Sequence, residues 1–132
     1  MSKQQTILKP VSLKGVGIHT GKEVNLTFKP ADDNFGYAFC RVDLPEKPII
    51  EAHISLVVNT DRGTNLEKNG IKIKTSEHVL AALVGMEIDN VLIEIDASEP
   101  PIMDGSSKYF VEALQKAGLK EQKAFRKEYV VK

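Results

Sequence analysis

The segment Glu23-Val24-Asn25-Leu26-Thr27-Phe28-Lys29 alternates polar and apolar side chains without interruption. Successive side chains of a strand point to opposite faces, so this order buries one face and solvates the other only in extended backbone. A helix would scatter the same residues around its circumference. The chain must therefore build a sheet with one covered face and find the material to cover it. Thr6 to Lys14 alternates more loosely and reads as a strand, and Pro30 ends the Glu23 strand. Asp32 to Gly36 is turn chemistry, after which Tyr37 to Val42 reads as another strand. Pro45 and Pro48 interrupt before a further extended stretch, Ile49 to Val58. Asn59 to Gly70 reads as a loop or small hairpin, Ile71 to Lys74 alternates again, and Asn90 to Ile95 is a strongly apolar strand.

Between the last two the period changes. Thr75 can cap a helix running through Val84, with Val79, Leu80, Leu83 and Met86 as its apolar stripe and Gly85 near its end. Ser98 to Gly105 is a proline-containing loop. A second helix is predicted from about Ser106 to Ala117, with Phe110, Val111 and Leu114 inward and Gly118 as the stop. Tyr129-Val130-Val131 looks like the start of a strand. Many strands and two helices in this order predict an α+β fold, a two-layer sandwich of two helices on a mainly antiparallel sheet with a small inserted strand and loop region.

At 132 residues, 42% hydrophobic and 27% charged, the chain has the size and composition of one globular domain, which excludes a disordered tail or a collagen-like repeat. Its 18 basic residues balance 18 acidic ones, so no global field recruits nucleic acid or an anionic membrane. Cys40, the single cysteine, can form neither an internal disulfide nor a cysteine-based zinc site, and a reducing cytoplasm is the expected compartment. The longest apolar runs fall far short of the roughly 20 residues of a membrane span.

Glu77 and His78 are adjacent in the predicted first turn of the first helix. Helix N–H groups there favour a carboxylate and disfavour imidazolium. A neutral imidazole can ligate a metal, and a carboxylate beside it can act as a general base. Taken alone, the pair reads first as an ordinary helix start. Gly-Val-Gly-Ile-His-Thr-Gly at 15–21 could bring backbone, His19 and Thr20 to a ligand, or be a turn between strands; it fits neither a dinucleotide fingerprint nor a phosphate-binding P-loop. Asp104-Gly105-Ser106-Ser107 has an adequate account as a turn and helix cap. Lys14, Lys22, Arg41 and Arg62 are candidate phosphate contacts that isolated surface cations also explain, and Cys40 reads as a small core residue.

Taken in order, Gly15 to Gly21, Arg41-Val42-Asp43-Leu44, Thr75-Ser76-Glu77-His78 with Ala81-Ala82-Leu83-Val84-Gly85, Ile88-Asp89-Asn90 and Pro101-Ile102-Met103-Asp104-Gly105-Ser106 closely resemble the N-terminal half of the UDP-3-O-acyl-N-acetylglucosamine deacetylases. The resemblance covers essentially the whole chain. It implies zinc enzymes of lipid A biosynthesis, built of two similar domains with the active site between them. His78 would be the zinc ligand of the first domain and Glu77 the general base. His19 and Asp104 would lie near the cleft in supporting roles, with Ile18 and Thr60, in the segment Asn59 to Thr64, near the acyl-chain passage. That segment is more polar here than in some members. The substrate implied is a UDP-linked acylated amino sugar. The resemblance further implies that residues 1–126 are the first domain and 127–132 begin a linker to a second, missing domain that carries the other zinc ligands. The remaining histidines, His19 and His53, lack the His-and-Asp spacing of that second set, so the chain alone is expected to be inactive. The competing expectations are a non-catalytic ligand-binding module of the same fold, and a hydrolase that completes its site by homodimerisation through His19 or His53.

Overall fold

A computed structural model of the chain describes residues 2–17, 21–51, 57–60, 63–68, 70–73, 77–103 and 107–126; of residues 57–60, 63–68 and 77 it describes the backbone. Within these residues the order is β1 (Lys3–Ile7), β2 (Val11–Val16), β3 (Glu23–Pro30), β4 (Tyr37–Arg41), β5 (Ile49–Glu51), β6 (Val57–Thr60), β7 (Gly63–Lys68), β8 (Ile71–Ile73), α1 (Glu77–Gly85), β9 (Val91–Ile95), α2 (Lys108–Ala117) and β10 (Leu119–Phe125). The main sheet runs β2-β3-β9-β4-β5. All its pairs are antiparallel except β4 with β9, where a crossover containing α1 and the small β6-β7-β8 sheet returns the chain in the same direction. A third, two-stranded sheet pairs β1 with β10. The fold is α+β, as expected.

The alternation of β3 does what its pattern requires. Val24, Leu26 and Phe28 are buried, and they meet Val91, Ile93 and Ile95 of β9 in one continuous core. Phe28 stands opposite Ile93, and Phe39 of β4 flanks Ile93 on the other side. The helices cover this face. Val79, Ala82 and Leu83 of α1 and Phe110, Ala113, Leu114 and Ala117 of α2 are buried, with the Phe110 ring edge-on to Phe28 at 6.4 Å. Val111, expected inward, is half-buried. Gly118 stops α2 at a positive φ of 78, a conformation open to glycine, with its N–H donating to Leu114 O at 3.1 Å.

Three expectations change. Thr6 to Lys14 is not one strand but the end of β1 and the start of β2. Leu8 leaves β1 by donating to Gly118 O, toward β10, and Pro10 cannot donate at the corner. Ile49 to Val58 likewise divides between β5 and β6, which lie in different sheets. Residues 119–125, read as no element, form β10. Its fully inward side chain is Gln122, so it is held by backbone pairing and polar contacts and carries no period-two apolar signal. The strand expected at Tyr129 to Val131 and the Thr75 cap lie outside the described residues.

A buried amide cluster joins the β1-β10 sheet to the main sheet. Asn90, 1% exposed, donates through Nδ2 to Gln4 Oε1 at 2.8 Å and Gln122 Oε1 at 2.6 Å, and its Oδ1 accepts from Gly36 N at 2.8 Å. Gln4 Nε2 goes on to Asn34 Oδ1 and Phe125 O, and Gln122 Nε2 to Ala31 O. Thr6 Oγ1 donates to Asn90 O and accepts from Ala31 N. Next to it, Asp89 accepts from Gln5 N at 2.7 Å and from Arg126 Nε at 3.0 Å, while Arg126 Nη2 reaches Glu87 O. Tyr37 Oη donates to Ile88 O. Ile88-Asp89-Asn90 is thus the clasp of the fold.

Asn90→Ala should strand the Gly36 donor and the Gln122 acceptor and leave Gln4 Oε1 only its bond from Asn34 N, and unsatisfied buried groups cost about 1–3 kcal/mol each. We expect a loss of about 3 kcal/mol in urea denaturation. The Tyr37 phenol is pushed up to about 12, first by burial and then by Asp89, with Arg126 opposing. Because the folded value lies above the ordinary 10.0, this group contributes full stability below pH 10 and loses it as pH rises toward 12. Stability measured across that window should fall more steeply for the native chain than for Tyr37→Phe.

Candidate functional site

Helix α1 opens at Glu77, four residues after β8 ends at Ile73, so the Glu-His pair stands where the inserted sheet hands the chain back to the core. His78 is half-buried, while Val79 and Leu83 one turn on are fully buried and anchor the helix. The other end is closed by a Schellman arrangement. Ile88 N donates to Leu83 O and Glu87 N to Val84 O, both at 3.0 Å, and Ile88 and Leu83 are both buried. The left-handed residue of this cap is Glu87, at φ 58, rather than Gly85, which is the last residue of the helix. The terminus of α1 is therefore set by the same Ile88-Asp89 segment that holds the clasp.

Two stretches more than eighty residues apart in sequence meet at the end of β2. Ile102 N donates to Val16 O at 2.8 Å, and Gly17 forms an isolated bridge with Pro101. Gly17 N donates to Lys22 O and Gly21 N to Gly17 O, each at 3.0 Å, which closes the glycine segment on itself. Lys14, Gly15, Val16, Ile102, Met103 and Tyr109 line a shallow groove of about 440 Å³. Lys14 at its rim pairs with Glu23 at 3.2 Å, and both are exposed. The loop that supplies Ile102 also buries Glu99, Pro100 and Pro101. Tyr109 and Val16 were not singled out from sequence; an apolar residue that stays partly exposed carries no signal in a pattern of periods.

Arg41 is not an isolated surface cation. Its Nε and Nη2 grip Asp43 at 2.9 and 2.7 Å, and Nη1 donates to Lys72 O of β8 at 3.1 Å. The Arg41-Val42-Asp43-Leu44 motif thereby braces the strand that leads into Glu77. Cys40 is buried, as expected of a core residue, and burial pushes its thiol up.

Of the residues proposed from sequence, His78 and the backbone of Glu77 and Thr60 fall on described elements, α1 and β6. Ile18, His19, Thr20, His53, Arg62 and Asp104 lie outside the described residues. Ser107 holds the cap position of α2 without a side-chain cap bond, and its carbonyl accepts the first helical bond, from Val111 N at 3.0 Å. Among the described residues no three His, Cys, Asp or Glu side chains gather as a metal site. They offer zinc one imidazole, His78, and not the three protein ligands of a catalytic site. No helix among the described residues is long and apolar enough to cross a membrane.

The family profile described as LpxC: UDP-3-O-acyl N-acetylglycosamine deacetylase matches residues 4–132. The chain belongs to that family. It is 46% identical over its whole length to a bifunctional enzyme LpxC/FabZ of Bacteroides thetaiotaomicron, of which it spans 29%. It is 46% identical, again over its whole length, to a UDP-3-O-acyl-N-acetylglucosamine deacetylase of Ruthia magnifica, spanning 43% of that protein. To the bifunctional enzyme LpxC/FabZ of Chlorobaculum tepidum it is 50% identical over 90% of this chain and 26% of that one. The chain therefore spans less than half the length of these relatives.

The Arg41 brace has a pH signature. The Asp43 carboxyl is held below its ordinary range, chiefly by the hydrogen bond from Arg41. A depressed carboxylate contributes stability above its unfolded value and loses it as pH falls through the folded one. Asp43→Asn should lower the urea midpoint at pH 7, and the gap to the native chain should close as the pH is taken below the ordinary carboxylate value of 3.8.

Proposed function

We propose that this chain forms the N-terminal part of a zinc-dependent deacetylase that hydrolyses the acetamide of UDP-3-O-acyl-N-acetylglucosamine in lipid A biosynthesis. The observation that carries the reading is the family match across residues 4–132 together with Glu77-His78 at the first turn of α1. In this reading His78 is the one zinc ligand on this chain. The remaining ligands belong to a second domain, consistent with the 26–43% of its relatives that the chain spans. Zinc, when bound, supplies a Lewis acid for the amide carbonyl and a water of lowered pKa.

Glu77 removes a proton from the attacking water as its oxygen bonds to the acetyl carbon. The C–N bond then breaks and the sugar nitrogen leaves with a proton, giving acetate and a free 2-amino sugar. His19 and Asp104 support the cleft, and Ile18 and Thr60 border the passage for the acyl chain. Thr60 sits on β6 of the inserted sheet, whose last strand leads into α1, so one small unit would connect chain selection to the base. The reaction belongs in the cytoplasm, where UDP-sugars are available and the Cys40 thiol stays reduced.

The full gene product carrying these residues should release acetate from the acylated UDP-sugar. Glu77→Ala should lower the rate by about 10²–10⁴-fold with zinc content unchanged, the range for loss of a general base. His78→Ala should lower both rate and zinc content. If the native protein bound the UDP-sugar without releasing acetate, the chain would be a ligand-binding module of this fold. A rate within about tenfold after Glu77→Ala would remove Glu77 from the role of base.

A further inference from the structure

Gly15 sits inside β2, where glycine weakens a strand and marks a close approach of something else. Its backbone is not in the left-handed region, so conformation does not require glycine here. Space does. A Cβ at Gly15 would lie 2.9 Å from Pro101 Cβ and 3.0 Å from Met103 Sδ, well inside the 3.5–4.0 Å or so at which carbon contacts turn favourable. The thioether can swing aside, but Pro101 Cβ belongs to a ring in a buried stretch and moves only with its loop. By contrast, a Cβ at Gly85 would meet nothing within 4 Å.

The loop seated on Gly15 is held in two further ways. Ile102 N–H bonds to Val16 O at 2.8 Å, and Gly17 bridges to Pro101, so the loop extends the edge of β2. Met103 follows at φ 54, a left-handed conformation that residues with side chains adopt only when their surroundings impose it. The chain runs from Gly17 into the segment carrying His19, and from Met103 directly into Asp104.

We propose that Gly15 is a positioning residue for the deacetylase site: by lacking a side chain it lets Pro101 and Met103 seat on β2, and this seat sets the points at which the chain enters both motif segments. The proposal rests on the deacetylase reading above. It also separates the two glycine roles in the motif. Gly21, at φ 66, serves a turn, whereas Gly15 serves a contact between segments.

The test uses the full gene product, with acetate release, zinc content and amide hydrogen exchange at Ile102 followed together. Gly15→Ala should accelerate exchange at Ile102 and lower kcat by about tenfold or more, since displacement of a site element by about 1 Å can cost 10²-fold. KM and zinc content should change far less. Gly15→Ala combined with Pro101→Gly, which removes the rigid side of the clash, should recover part of the lost kcat relative to Pro101→Gly alone. An unchanged kcat, or a loss accompanied by faster exchange throughout the main sheet, would overturn the proposal. Absence of turnover in the native protein would instead overturn the deacetylase reading itself, and it is seen before any substitution is made.

Discussion

Asn90 is where the separate parts of this molecule become one. The β1-β10 ribbon shares no backbone ladder with the main sheet. Beside the Asp89 and Asn90 backbone bonds to Gln5 O and the core contact of Ile7, they are joined by a buried amide whose two N–H bonds go to Gln4 on β1 and Gln122 on β10, while its oxygen takes the Gly36 amide just before β4. Buried amides are tolerated only when their groups are paired, and here each partner is itself paired onward. Such a cluster specifies geometry more strictly than apolar packing, because a shifted partner leaves a group unsatisfied. The Asp89–Arg126 pair and the Tyr37 bond to Ile88 O extend it to the end of the described chain and to the terminus of α1.

That clasp has a consequence for chemistry. The first turn of α1 carries Glu77 and His78, and the far end of the same helix is terminated by Ile88, the neighbour of Asp89 and Asn90. The helix is thus fixed at its C-terminal end by the clasp and along its length by Val79, Ala82 and Leu83. Its entry is set by β8, which Arg41 braces through Lys72 O. Residues at a helix start hold their place only through such supports, since the helix moves as a rigid body. The glycine and proline-loop segments are mounted differently, on the free edge of β2, where a strand has unused hydrogen-bonding groups to hold a loop.

Much of the fold was legible in particular residues. Val24, Leu26 and Phe28 announce one buried face, and Val91, Ile93 and Ile95 a second strand against it. Phe110 and Leu114 mark the inner face of α2, and Gly118 its end. What could not be read had weak or misleading local signals. β10 is built of Lys, Glu and Gln, whose stabilisation comes from long-range pairing with β1. Leu8-Lys9-Pro10 preserves a loose alternation across a change of sheet, so the break between β1 and β2 is invisible to a pattern of period two. Glu87 takes the left-handed cap position where glycine is usual, so the cap residue was not legible although α1 ends at Gly85, where its end was expected.

The candidate site divides the same way. By itself the sequence determined that Glu77 and His78 are neighbours, that a helix begins at them, and that the ordered motifs are those of one deacetylase family, because adjacency and motif order are properties of the chain. It also exposed His19 and Asp104 as candidates, though not why they should act together. Only the tertiary structure decided that the Gly15 and Pro101 segments meet, that Arg41 turns inward to Asp43 and Lys72, and that Asn90 is a clasp between sheets. The reason is physical: a close backbone approach, the Arg41 bond to Lys72 O and a buried amide depend on partners thirty-one to eighty-six residues away, and no local period in the sequence records who those partners are.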